Sequence, residues 1–178
     1  MMSQMEIRLT GSGGQGLILA GIILAEAALL QGDNAIQSQS YGPEARGGAS
    51  KSEVIISKED IDFPKVKDAD ILLSLTQIAY DKYKGATKES AIVIVDSAID
   101  IDKSLKVGRV ISIPIIKTAS EKVGKSIVSN IVALGAIQKV TGIVNQDFLE
   151  EAVLKRVPAK FKDLNRKALA EGFNLVKE

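Results

Sequence analysis

The segment Gly11-Ser12-Gly13-Gly14-Gln15-Gly16 stands between a strand-like run, Ile7 to Thr10, and a long apolar run that begins at Leu17. Strand, glycine loop, helix is the order in which an α/β sheet presents backbone N–H groups at the end of a strand. Gly11, Gly13 and Gly16 fit the spacing G-x-G-x-x-G. In that pattern glycine permits a tight turn, close approach of a phosphate, and close packing of helix on strand. The first N–H groups of a helix lack internal partners, and the helix dipole favours negative charge beside them. A phosphate-bearing ligand is therefore the functional reading of the loop. A glycine turn that only packs the first helix closely is the structural one.

A dinucleotide site adds an acidic residue about 20 positions on, at the end of the second strand, where it accepts the ribose hydroxyls. The second strand-like run, Ala35 to Ser40, carries no acid. Asp33 lies before it, in the turn Gly32-Asp33-Asn34. An ordinary NAD site is disfavoured.

Composition removes most other chemistries. The chain contains no cysteine and no histidine, so it cannot ligate an iron-sulfur cluster through thiolates, build a usual zinc site, or supply a Cys nucleophile or an imidazole base. The absence of cysteine agrees with a reducing, cytoplasmic compartment. With 23 basic and 22 acidic residues there is no electrostatic case for nucleic acid or an anionic membrane. The run Leu17 to Leu30 is apolar except for Glu26. It is shorter than the ~20 residues of a membrane span, and a strand with a glycine loop precedes it where a leader would be basic. A helix apolar on nearly every side is buried on more than one face, so a sheet on one side and another subunit or domain on the other are expected.

A chain of 178 residues is one domain's worth, and residues 1–178 read as a single domain. Strand-like runs at 6–10, 35–40, 52–57, 71–75, 91–95 and 110–113 alternate with helix-like runs at 17–31, 76–84, 117–123, 127–141, 146–155 and 160–176. This predicts an α/β, three-layer, largely parallel Rossmann-like sheet with helices on both faces. Between the second and third strands only Tyr41 to Lys51 intervene. A parallel crossover needs a dozen residues or more, so an antiparallel addition is expected there. The connecting loop Tyr41-Gly42-Pro43-Glu44-Ala45-Arg46-Gly47-Gly48 would then share the ligand-bearing edge of the sheet with the first glycine loop. Arg46 offers a planar fork of donors for phosphate or carboxylate, and the glycines let backbone approach a ligand. A solvated turn with a local Glu44–Arg46 ion pair is the alternative.

Within the apolar helix 127–141, Asn130 is the conspicuous polar group and must find partners, either local backbone or a glycine loop. Gly135 weakens that helix and suggests close packing against another element. Phe161, Leu164, Ala168, Leu169, Phe173 and Val176 form an amphipathic stripe on the last helix. Lys82, Lys84 and Lys88 read as a solvated face.

With both loops in view, the chain resembles the gamma subunit of 2-oxoacid:ferredoxin oxidoreductases, the equivalent of domain III of single-chain pyruvate:ferredoxin oxidoreductase. The resemblance is carried by Gly11 to Gly16 with the following Leu-Ile-Leu-Ala-Gly, by Gln39-Ser-Tyr-Gly-Pro-Glu-Ala-Arg-Gly-Gly48-Ala-Ser-Lys-Ser-Glu-Val, by Ala69-Asp-Ile-Leu-Leu-Ser-Leu, and by Ser129-Asn-Ile-Val-Ala-Leu-Gly-Ala136. The Tyr-Gly-Pro-Glu-Ala-Arg-Gly-Gly form looks most like the 2-oxoglutarate branch. The resemblance implies a complex that oxidatively decarboxylates a 2-oxoacid on thiamine diphosphate, passes electrons through iron-sulfur clusters to ferredoxin, and captures the acyl group on coenzyme A. Its partners would be alpha and beta subunits and a ferredoxin-like delta subunit, which hold the thiamine diphosphate and the clusters. To this chain the resemblance assigns assembly and coenzyme A contact, through Gly11, Ser12, Gly13, Gly14, Gln15 and Gly16 and through Tyr41, Glu44, Arg46, Gly47 and Gly48, with no catalytic residue and no metal ligand. A free-standing NAD(P)-binding protein and a purely structural subunit are the other readings.

Overall fold

The computed structural model describes residues 4–40 and 48–177. Among them, β1 (Gln4–Ser12), β2 (Asn34–Gln39), β3 (Ala49–Ser57), β4 (Ala69–Ser74), β5 (Thr87–Asp96) and β6 (Arg109–Ile113) form one sheet in the order β2-β3-β1-β4-β5-β6. The pairs β1–β4, β4–β5 and β5–β6 are parallel, while β3 is antiparallel to both β1 and β2. The expected antiparallel addition is present, and it is wedged between β2 and β1. Composition accounts for that order. β3 ends in the apolar run Val54, Ile55, Ile56 and is buried over most of its length, whereas the polar β2 is nowhere fully buried and takes the edge.

The helices are α1 (Leu17–Leu30), α2 (Gln77–Tyr83), a short α3 (Ile115–Lys117) that widens into π turns through Val123, α4 (Ser129–Thr141), α5 (Gln146–Arg156) and α6 (Lys162–Leu175). One large apolar cluster joins Ile7, Leu9, Val54, Ile71, Leu73 and Ile94 of the sheet to α1, α4, α5 and α6. On the opposite face a smaller cluster sets Leu72, Val93 and Val95 against Ala79, Tyr80 and Tyr83 of α2. Each fully buried Ile, Leu or Val in these clusters contributes roughly 1.5–3 kcal/mol.

α1 corrects an expectation: the sheet covers one side, and α5 and α4 of the same chain cover the other, where another subunit or domain was expected. α4 is covered in the same way. Its residues from Ser129 to Ile137 are all buried within this chain, largely beneath α6, so its apolar character needs no second subunit. The crossing is close because both helices carry glycine where they meet. A Cβ at Gly135 would lie 2.3 Å from the Leu169 carbonyl oxygen, and one at Gly172 would lie 2.0 Å from that of Val132.

The lysines read as a solvated face are partly engaged. Lys84 Nζ lies 2.9 Å from Asp102 and Lys88 Nζ 2.9 Å from the buried Asp70. Hydrogen bonds from the Ser104 hydroxyl, Lys84 and the Ser104 amide hold the Asp102 carboxyl well below the ordinary range. Beneath α2, the buried Arg8 donates to Glu53 at 2.8 Å, to the Ala86 carbonyl at 2.8 Å and to the Val66 carbonyl at 2.9 Å. That set of partners is what a buried guanidinium requires.

Candidate functional site at the carboxyl edge of the sheet

The register of β1 against β3 pairs Ser12 with Ala49 and Gly11 with Ser50. Gly48, half-buried, directly precedes that pair, so the stem of the second loop lies beside the first glycine loop at the carboxyl end of β1. The chain thus brings Gly11 to Gly16 together with Gly48. Tyr41, Glu44, Arg46 and Gly47 lie outside the described residues.

The first loop is fixed from both sides by carboxamides. Gly14 and Gly16 adopt left-handed φ values of 83° and 75°, which side-chain-bearing residues rarely take. Ser12 donates its N–H to the side-chain oxygen of Gln15 at 2.8 Å. From α4, Asn130 donates its Nδ2 to the Gly16 carbonyl at 3.1 Å, while its Oδ1 accepts the N–H of Ile131 at 2.9 Å. Asn130 therefore fulfils both roles weighed for it, local backbone partner and fastener of the loop. A Cβ at Gly16 would fall 2.5 Å from Asn130 Nδ2, so only glycine leaves room for this clasp.

At the loop's exit α1 starts with no side-chain cap and no acidic residue in its first turn. Its first N–H groups keep their donor capacity, and the dipole leaves that end partially positive. Two grooves flank the loop. One, of about 480 Å³, is lined by Gly14, Gly16, Leu19, Lys125, Ile127, Asn130 and Phe161 among others. The other, of about 430 Å³, is lined by Ser12, Gly14, Ile18, Ile22 and Ser50 among others. Both walls are mainly apolar, with backbone donors converging between them. Sequence reasoning missed Lys125, Ile127 and Phe161 as walls of this region. Phe161 was placed on the packing stripe of the last helix, yet it is 42% exposed, and Ile127 is 74% exposed.

Geometry as well as composition disfavours an ordinary dinucleotide site. The strand beside β1 is β3, antiparallel, so the strand that would offer a ribose acceptor is one place further out. Asp33 lies at the other end of β2 from the glycine loop and is buried. Burial pushes its carboxyl up, but hydrogen bonds from Lys58 and Gln31, with the Lys58 charge, outweigh this and hold it below its ordinary value. Asp33 ties a turn together.

An open α/β sheet of this order, with a glycine loop clasped at the mouth of its first helix and a second strand that carries no acid, defines a Rossmann-like domain. Residues 6–175 match the family model of pyruvate ferredoxin/flavodoxin oxidoreductase, and the chain belongs to that family. It is 51% identical over 176 residues to 2-oxoglutarate synthase subunit KorC of Methanocaldococcus jannaschii, covering 97% of this chain and 94% of that one. The gamma subunit of a keto/oxoacid ferredoxin oxidoreductase from Geobacter sulfurreducens superposes with a TM-score of 0.86 at 50% identity, covering 97% of this chain and 95% of its own. The fold also recurs, at 22% identity and a TM-score of 0.85, in the 2-oxoglutarate:ferredoxin oxidoreductase of Magnetococcus marinus, solved with 2-oxoglutarate, coenzyme A and succinyl-CoA bound. There this chain covers 98% of its own length and 31% of the longer one. Among the described residues no helix is long and apolar enough to cross a membrane.

Proposed function

We propose that this chain, as one gamma-type domain over residues 1–178, is a subunit of a 2-oxoglutarate:ferredoxin oxidoreductase complex that converts the 2-oxoacid to its acyl-CoA and reduces ferredoxin. The observation that carries the reading is 51% identity over nearly the full length of both chains to a 2-oxoglutarate synthase subunit. Alpha and beta subunits and a ferredoxin-like delta subunit hold the thiamine diphosphate and the iron-sulfur clusters, since this chain has no cysteine or histidine to offer. When bound there, they supply the decarboxylation and electron-transfer chemistry.

This chain's residues bind and orient coenzyme A. The uncapped N–H groups at the start of α1 and of Gly13 and Gly14 donate hydrogen bonds to phosphate oxygens, while the apolar walls beside them exclude water from the ligand's uncharged parts. Tyr41, Glu44, Arg46, Gly47 and Gly48 of the second loop are the further contacts assigned to the same ligand, with Arg46 as the phosphate partner. Arg46→Ala in the reconstituted complex is expected to weaken apparent coenzyme A affinity by roughly tenfold to a hundredfold, the loss of one charge-assisted hydrogen bond. Single-turnover decarboxylation without coenzyme A is expected to be unchanged. Steady-state kinetics with coenzyme A varied test this, and an unchanged coenzyme A dependence in an assembled complex would remove Arg46 from the site. Measuring which 2-oxoacids reduce ferredoxin tests the substrate.

A further inference from the structure

The side-chain oxygen of Gln15 does not face the ligand grooves. It lies over Gly11, accepting the Ser12 N–H at 2.8 Å. A Cβ at position 11 would sit 2.3 Å from that oxygen, 3.2 Å from Leu17 and 3.3 Å from Leu75. Gly11 is therefore glycine because the loop's own side chain folds across the end of β1. The place it fills lies against the residue that follows β4, in the crevice between neighbouring parallel strands where open α/β sheets take a dinucleotide pyrophosphate. A phosphate oxygen and the Gln15 oxygen are both acceptors, and they cannot share one N–H at that distance.

We propose that Gln15 is a specificity-determining plug. Its neutral oxygen occupies the anion seat of the glycine fingerprint and shuts out a pyrophosphate in the crevice, so that ligand phosphates are taken on the outward side of the loop, where Gly14 and Gly16 line both grooves. A separate observation agrees: β1 is flanked by the antiparallel β3 and the parallel β4, and β2, where a dinucleotide's ribose would find its acid, lies one place beyond β3 and carries no acid of its own. The exclusion stands on this geometry alone. The outward placement rests on the coenzyme A reading.

The test compares the full chain carrying Gln15→Ala, Gln15→Ser or Gln15→Glu with the unaltered chain, using inorganic pyrophosphate as the calorimetric probe, and then measures coenzyme A kinetics in the complex. Opening the seat with Gln15→Ala or Gln15→Ser is expected to tighten pyrophosphate binding by roughly tenfold or more, the value of one N–H donor returned to an anion. Gln15→Glu keeps an acceptor on the Ser12 N–H and is expected to gain nothing. If both opening variants fold with the unaltered melting temperature and gain no pyrophosphate affinity, the plug is overturned. If Gln15→Ala raises the KM for coenzyme A by roughly tenfold with kcat unchanged, coenzyme A uses the seat and the outward placement is overturned. An unaltered complex with no coenzyme A dependence would defeat the functional reading, while the pyrophosphate comparison would still decide the plug.

Discussion

Two carboxamides carry the residue-scale logic of the carboxyl edge, and one carboxylate that of the opposite end of the sheet. Asn130 and Gln15 each spend an oxygen on a backbone N–H, and Asn130 also gives its amide to the loop. The loop is thus held without any charge, and the donors at the mouth of α1 stay unneutralised. Asp33 is charged and buried, and its partners make it sensitive to acid. Because its folded pKa lies below the unfolded value near ~3.9, its contribution is present above that unfolded pKa and is lost as pH falls through the lower folded one. Asp33→Asn is expected to cost about 1–3 kcal/mol at neutral pH, where hydrogen bonds to a charged group are lost, and to converge with the unaltered chain in strong acid. Denaturant titrations across the acid range check this. A constant difference at every pH would show that the carboxylate charge contributes nothing.

At the scale of elements, the α4–α6 crossing sets two effects against each other. Alanine is a better helix former than glycine by about 1 kcal/mol. A methyl group at position 135, however, would meet the backbone oxygen of Leu169 at 2.3 Å, and backbone cannot rotate aside as a side chain can. Overpacking of this kind costs typically about 1–3 kcal/mol or more, so Gly135→Ala is expected to lower stability despite its propensity gain. A higher denaturation midpoint would refute the tight crossing. The sequence displayed Gly135 as an oddity in an apolar helix, and close packing was legible from it. Gly172 was not, because it lies on the apolar face of α6 without a side chain to mark it, and the pairing of two glycines across a crossing exists only once the helices meet.

For the whole molecule, the surfaces left to a partner differ from those expected. α1 is covered by α5 and α4, and α4 by α6, while two of the exposed large apolar residues, Ile127 at 74% exposure and Phe161 at 42%, wall a groove beside the glycine loop. In the proposed complex these are expected to be covered. Ile127→Asp should leave the melting temperature of the isolated chain nearly unchanged, since substitutions at exposed positions usually stay within about 0.5 kcal/mol. It should weaken assembly with the larger subunits, read by size-exclusion chromatography of the reconstituted complex. Undiminished assembly would place the interface elsewhere.

Sequence alone determined what depends on neighbours along the chain. Period, turn residues and the length of a connection fixed the strand and helix runs, the α/β class and the antiparallel β2–β3 pair. The glycine loop was equally legible, because tight turns restrict which residues can occupy them. The missing cysteines and histidines bounded the chemistry, since a ligand type that is absent cannot be supplied by folding. What tertiary structure decided depends on which surfaces meet. β3 lies between β2 and β1 because its apolar residues need cover on both faces while β2 tolerates an edge, and no local pattern encodes that choice. The burial of α4 under α6, the clasp of Asn130 on Gly16 across 114 residues, and the folding of Gln15 over Gly11 against Leu75 arise in the same way. Each joins groups whose complementarity exists only when distant segments are brought to contact.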